Sequence, residues 1–166
     1  MNDVQAFFEN AKLLGDALGI VPLMYGSLGL EYLTGADLNA DDIDILIPKV
    51  FLTDRWPAFQ AALENHGYVL IDAHEHTFEK AGVHYAYAQL EELELFAGIR
   101  LSEIETVRTG EITFLLLSLE QYLKVYTASS KDGYRVHVRK RKDAEKIAFI
   151  KAQLQKKAAH GFDHGD

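Results

Sequence analysis

Apolar residues first recur at helical spacing, with Val4, Phe7, Phe8, Ala11, Leu14 and Leu18 marking one face. Asn2 or Asp3 is placed to cap this helix and Gly19 to end it. The pattern then changes. Residues 20–25 (IVPLMY) form a short apolar run interrupted by Pro22, which predicts a buried strand starting near the proline. Residues 28–33 predict a short second helix closed by Thr34-Gly35, 36–40 a polar loop, and 42–47 a second strand ended by Pro48. Thr53 or Asp54 opens a third helix, with Pro57 tolerated in its first turn and Trp56, Phe59, Ala62 and Leu63 on one face; His66-Gly67 stops it.

The second half reads mostly as strands followed by helices. Residues 68–73 and 76–80 are β runs, and 83–89 is a further strand after the turn at 80–82. Residues 91–98 fit helix or strand equally. Residues 104–107 and 112–116, around Arg108-Thr109-Gly110, predict a hairpin. Ser118 with Gln121 makes a capping box, the clearest helix start in the chain, and that helix runs to about Ser129. A last helix from about Lys140 to Lys157 buries Ile147, Ile150 and Leu154. The order predicts an α+β (α/β mixed) fold, one mixed β-sheet with helices packed over it and a C-terminal helix pair. Residues 1–157 are expected to form a single domain and 158–166 a disordered tail.

Length and charge narrow the picture. A chain of 166 residues that is 48% hydrophobic fills one core and is too short for two ordinary domains. No apolar run is long enough to cross a membrane, and no signal peptide is expected. The absence of cysteine excludes disulfides and thiolate metal sites and is compatible with a reducing cytoplasm, the expected location. The net charge of −8 is unevenly spread. Residues 1–130 hold 7 Lys/Arg against 20 Asp/Glu, whereas 131–157 hold 10 against 3. The acidic body argues against duplex-DNA binding. The basic segment can offset a polyphosphate, face an acidic partner, or simply be a solvated helix face.

The candidate chemistry lies in residues 25–48. Gly26-Ser27 makes a small-residue turn after the first strand, where glycine lets the backbone approach an anion and helix-start amides can hold phosphate oxygens. Asp42 and Asp44 stand two apart on the second strand and therefore on one face. Two such carboxylates repel unless a cation lies between them, which points to a divalent metal with hard oxygen ligands, most naturally Mg²⁺. Separately, Gly-Ser also reads as a plain turn and Asp-x-Asp as a solvated strand edge. Together and in this order they are the parts of phosphoryl or nucleotidyl transfer.

Gly26-Ser27 followed by Asp42-Ile43-Asp44 resembles the nucleotidyltransferase superfamily that shares the DNA polymerase β fold. The 16 positions separating Gly26 from Asp42 are most similar to its small antibiotic-nucleotidyltransferase-like and toxin-like branch. A second likeness lies in Leu117-Ser118-Leu119-Glu120 and the basic run Arg139 to Lys142 with Asp143, so the resemblance covers roughly residues 20–150. It implies a nucleoside triphosphate substrate, with ATP foremost, and Mg²⁺. A nucleoside monophosphate would pass to an acceptor hydroxyl, with a small molecule favoured over tRNA or protein as acceptor. Gly26 and Ser27 would then hold phosphates, and Asp42 and Asp44 would be metal-binding and catalytic. Arg141 or Lys142 would face the phosphates, with Lys124 nearby, unless Lys142 and Asp143 merely brace the helix start.

The resemblance also asks for a third carboxylate on the strand at 82–90, near Ala86, where the residues are Tyr85, Ala86 and Tyr87. Glu91, Glu92, Glu94 or His84 can supply the missing group from nearby. Alternatively two carboxylates suffice, or the chain has lost the chemistry and serves as a nucleotide-binding or protein-interaction module. A zinc cluster of His74, His76 and His84 is conceivable but lacks an HExxH pattern, and GSLG lacks the G-x-S-x-G elbow of a serine hydrolase.

Overall fold

The computed structural model describes residues 2–131 and 137–163, with side chains described for 2–131 and 142–159. In chain order the elements are α1 (Asp3–Leu18), β1 (Leu23–Met24), α2 (Gly26–Thr34), β2 (Ile43–Ile47) and α3 (Trp56–Glu64). Then follow β3 (Val69–Asp72), β4 (Thr77–Lys80), β5 (Val83–Gln89), α4 (Glu92–Ala97), β6 (Glu105–Thr109), β7 (Ile112–Leu116), α5 (Leu119–Ser130) and α6 (His137–Asp163). Short 3₁₀ turns occupy Lys49–Leu52 and Leu101–Glu103. The strands form one mixed sheet in the order β3-β4-β5-β2-β1-β7-β6. β2 runs parallel to β5 and antiparallel to β1, and β1 runs parallel to β7.

Alternation along β2 decides which face carries chemistry. Ile43, Ile45 and Ile47 are fully buried in the larger core, among Phe7 and Leu14 of α1 and Phe59 and Leu63 of α3. Leu46 points the other way, into a second core with Leu93 of α4, Tyr122 and Val125 of α5, and Ile150 of α6. With period two, Asp44 shares the face of Leu46. The sheet thus has α1 and α3 on one side, and α4, α5 and α6 on the side to which Asp44 belongs.

The predicted caps form. Asn2 and Gln5 make a capping box on α1, Gly19 closes it in the left-handed region, and Ser118 and Gln121 make the same box on α5. Several boundaries differ from the sequence expectation. β1 is only two residues long, because beyond Pro22 only Leu23 and Met24 pair with β2. The third helix begins at Trp56 behind Arg55 with no side-chain cap, so neither Thr53 nor Asp54 opens it. A 3₁₀ turn has already used Thr53, whose amide donates to the Val50 carbonyl. Residues 91–98 resolve as α4, with Gly98 in the left-handed region at its end. α6 extends to Asp163, beyond the expected end near Lys157.

Candidate active site

The turn at Gly26-Ser27 is the first turn of α2, which starts two residues before the expected Leu28. Tyr25 occupies the N-cap position without a side-chain cap, and the first intrahelical bond is from the Gly29 amide to the Tyr25 carbonyl. The amides of Gly26 and Ser27 therefore have no carbonyl partner within the helix, and they carry the positive end of its dipole. The Tyr25 amide donates to the Asp44 backbone carbonyl at 3.0 Å, tying this helix start to β2. Gly26 has φ +61, and a Cβ there would stand 2.5 Å from Asp44 Oδ2 and 3.2 Å from its Cβ and Cγ. Only glycine lets the Asp44 carboxylate lie this close to the helix start.

Tyr122 of α5 fixes the turn from behind. It is fully buried, and its hydroxyl donates to the Gly26 carbonyl at 3.1 Å and more weakly towards Met24 at 3.5 Å. Burial pushes this phenol well above its ordinary range, and the neighbouring Tyr126, Tyr25 and Asp44 push it further the same way. It therefore stays a neutral donor. Gly29 is needed for the same contact, since a Cβ there would fall on the Tyr122 hydroxyl and the Met24 carbonyl.

Around these groups lies a cleft of about 330 Å³, lined by Gly26, Ser27, Asp44, Tyr126, Lys142 and Lys146 among others. Asp143, only 5% exposed, lies between the two lysines in sequence and accepts from Ser129 Oγ at 2.8 Å, which ties the start of α6 to the end of α5. Lys146, Tyr122, Tyr126 and Ser129 were not singled out from the sequence. Their signal was the i, i+4 spacing of Lys142 with Lys146 and of Tyr122 with Tyr126, which reads equally as an ordinary helix surface. Lys124 does not join them; it lines a groove beside Phe96 and Leu123 between α4 and α5. The Arg141 side chain lies outside the described residues.

A second cleft, of about 380 Å³, opens on the other side of Asp44 and Tyr25. Its floor is the exposed face of β5, and register places Ala86 directly opposite Asp44. The position near which the resemblance asks for an acid thus lies opposite Asp44 and holds a methyl group. Of the four substitutes, Glu91 is engaged with the Lys49 amide at 2.9 and 3.1 Å, and Glu94 accepts from the Leu101 amide at 3.2 Å. His84 lies between Asp42 and Glu79, with its Nδ1 3.8 Å from Asp42 Oδ1 and its Nε2 3.5 Å from Glu79 Oε2. Glu92 alone of the four lines a cleft that Asp44 also lines.

Asp42 and Asp44, expected on one strand face, have different settings. Asp42 precedes β2 and is exposed beside His84, whereas Asp44 is within the strand and borders both clefts. Of the three histidines of the conceivable zinc cluster, His74 and His76 both lie in the β3–β4 turn, His76 at φ +51, and His84 is on a strand. Among the described residues no group of three or more His, Asp or Glu could hold a metal ion unaided. Mg²⁺ is ordinarily held by one or two carboxylates completed by substrate phosphates. Asp44, beside the Gly26-Ser27 helix start, is a carboxylate of the kind that such an ion shares with phosphates, and among the described residues no three-residue zinc site is formed.

No protein-family model matches the chain. The uncharacterised protein YnaI of Bacillus subtilis (strain 168) is 40% identical over 144 residues, covering 87% of this chain and 92% of YnaI. The crystal structure of an antigenic nucleotidyltransferase-like protein from Paracoccidioides brasiliensis aligns at TM-score 0.60 with 16% identity, over 89% of this chain and 75% of that one. The antibiotic-resistance factor ANT(2'')-Ia aligns at TM-score 0.49 with 16% identity, over 99% of this chain and 98% of that one. The chain belongs to the family of YnaI and has a nucleotidyltransferase-like fold, with Asp44 and the Gly26-Ser27 helix start at the centre of its mixed sheet.

Proposed function

We propose that the protein is a Mg²⁺-dependent nucleotidyltransferase that takes a nucleoside triphosphate, with ATP the first candidate, and moves its monophosphate to an acceptor hydroxyl. The observation that carries this reading is one cleft combining an uncapped helix start, the Asp44 carboxylate, and Lys142 and Lys146. These are the charges a metal-bound triphosphate requires. The Gly26 and Ser27 amides, at the positive end of the α2 dipole, hold phosphate oxygens. Lys142 and Lys146 approach from α6 and stabilise negative charge on the departing pyrophosphate. Asp44, with Asp42, would hold the ion, which neutralises phosphate charge when bound. Tyr122 keeps the turn in register, so its amides need no rearrangement as charge develops. Tyr126 borders the cleft as an aromatic wall.

Ala86 opposite Asp44 favours a second reading, a nucleotide-binding module that has lost transfer. Calorimetric titration of ATP, GTP, CTP and UTP with Mg²⁺ into the wild type, Asp42→Asn and Asp44→Asn tests the site first. Magnesium-dependent binding of at least one nucleotide, reduced tenfold or more by Asp44→Asn, is the expected result. Binding indifferent to both metal and Asp44 would exclude the transferase reading, and release of pyrophosphate on adding an acceptor mixture separates transferase from module.

A further inference from the structure

We infer that the groove between α4 and α5 seats a second copy of this chain, so that the protein pairs through that face as a two-fold dimer. The inference goes beyond the transferase reading and holds or fails independently of it. The groove, of about 350 Å³, is walled by Phe96 and Ala97 of α4 and floored by one stripe of α5. Leu95 is 91% exposed and its neighbour Phe96 39%, although Leu93 on the same short helix is buried. A lone exposed leucine means little, whereas one beside an apolar groove marks a contact surface.

The stripe itself points to the partner. Glu120, Leu123, Lys124, Thr127, Ala128 and Lys131 follow the spacing of one helix face, with the acid at its start and a lysine at its end. Laid antiparallel on a copy of itself, about an axis between Val125 and Tyr126, it sets Glu120 against Lys131 of the second copy. The same operation sets Leu123 against Ala128 and Lys124 against Thr127, and two-fold symmetry makes each contact twice. A parallel arrangement would instead set Lys124 and Lys131 against their own counterparts. Thr127 and Ala128 are small enough for the helix axes to approach to about 8–10 Å, which brings Leu95 of each copy onto the groove of the other. Charge elsewhere favours this face too. Residues 1–130 carry 20 Asp/Glu against 7 Lys/Arg, so most faces repel a second copy, whereas this stripe offers two lysines against one glutamate. Within one chain Glu120 meets Lys157 at 3.9 Å with both side chains more than half exposed, a contact weak enough to yield. The 12 residues of α5 span roughly 18 Å, so the face lies at the small end of specific interfaces and pairing in the micromolar range is expected. Phe96 also lines the first cleft, so the second copy stands at its rim.

Sedimentation velocity on the full chain, from low to high micromolar concentration, tests the pairing. The expected result is a monomer–dimer equilibrium weakened at least tenfold by Leu95→Glu, with circular dichroism reporting that this variant is folded. Glu120→Lys and Lys131→Glu should each weaken association at least fivefold alone. An equimolar mixture of the two should recover it, because every like-charged contact then becomes an opposite one, and recovery also shows that both variants are folded. A monomer at every concentration would overturn the inference and leave the groove to a different occupant. A dimer indifferent to Leu95→Glu would overturn it as well, placing the contact elsewhere, for example at the exposed Val69 and Ile71 of β3. Charge variants that fail to complement each other when mixed would rule out the antiparallel pairing and the inference with it.

Discussion

At the scale of single residues, Gly26 and Tyr122 hold the candidate site to its geometry. An alanine at position 26 would adopt φ +61 at a cost of roughly 1–2 kcal/mol, and its Cβ would displace the Asp44 carboxylate. Gly26→Ala should therefore lower the melting temperature by a few degrees, yet reduce magnesium-dependent nucleotide binding more than tenfold; melting and calorimetry on one sample check both. Tyr122→Phe keeps the buried ring but leaves the Gly26 carbonyl without its donor, a loss of about 1–3 kcal/mol. Gly26 and Asp44 were legible in the sequence because their types and order are unusual. Tyr122 was not, since a tyrosine at a helical core position carries no mark of the turn that it meets 96 residues away.

At the scale of elements, the two motifs are joined by hydrogen bonds that the sequence pattern does not announce. Glu31, on the helix that Gly26 begins, accepts through Oε1 from the amides of Leu38 at 3.1 Å and Ala40 at 3.0 Å. It thereby shapes the loop that delivers Asp42 and β2. Glu31→Ala should expose both amides, cost about 1–3 kcal/mol and speed hydrogen exchange at Leu38 and Ala40. Glu31→Gln keeps an oxygen at that position and should restore most of the protection. The α5–α6 junction works similarly: Asp143→Ala removes the partner of Ser129 and should loosen Lys142 and Lys146 from the cleft, weakening nucleotide binding without abolishing it. Strands and helices with clean period or capping boxes were readable in advance. The 3₁₀ turn after Pro48 and the turn holding His74 and His76 were not: each is met by a long-range bond, the Lys49 amide on Glu91 and the Tyr87 amide on the His76 carbonyl, that no local pattern announces.

At the scale of the whole molecule, the larger core contains polar groups that its stability must accommodate. Asn10 is fully buried and Tyr87 nearly so, and Asn10 Oδ1 and Nδ2 and the Tyr87 hydroxyl make no hydrogen bond of good geometry among the described residues, although the Asn10 amide lies close enough to the phenols of Tyr68 and Tyr87 to oppose part of the effect of burial on them. Burial pushes the phenols of Tyr68, Tyr85 and Tyr87 above their ordinary range. A phenol whose folded pKa is raised binds its proton more firmly folded than unfolded. Its contribution is complete below about pH 10 and is lost as pH climbs from there towards the raised value, with each tyrosine steepening the fall by up to ~1.4 kcal/mol per pH unit. Thermal melts between pH 8 and 11.5 should therefore be flat up to about pH 10 and decline beyond it. Tyr87→Phe removes a buried hydroxyl that has only the poorly aligned Asn10 amide beside it, while keeping the ring packed on Phe59 and Phe78, at centroid distances of 5.0 and 5.9 Å. That variant should be as stable as the wild type or up to about 1 kcal/mol more so at pH 8, and it should lose part of the alkaline slope. A variant clearly less stable at pH 8 would show that the hydroxyl has a partner in solution, and an unchanged slope would assign the alkaline loss to Tyr68, Tyr85 and the likewise raised Tyr122.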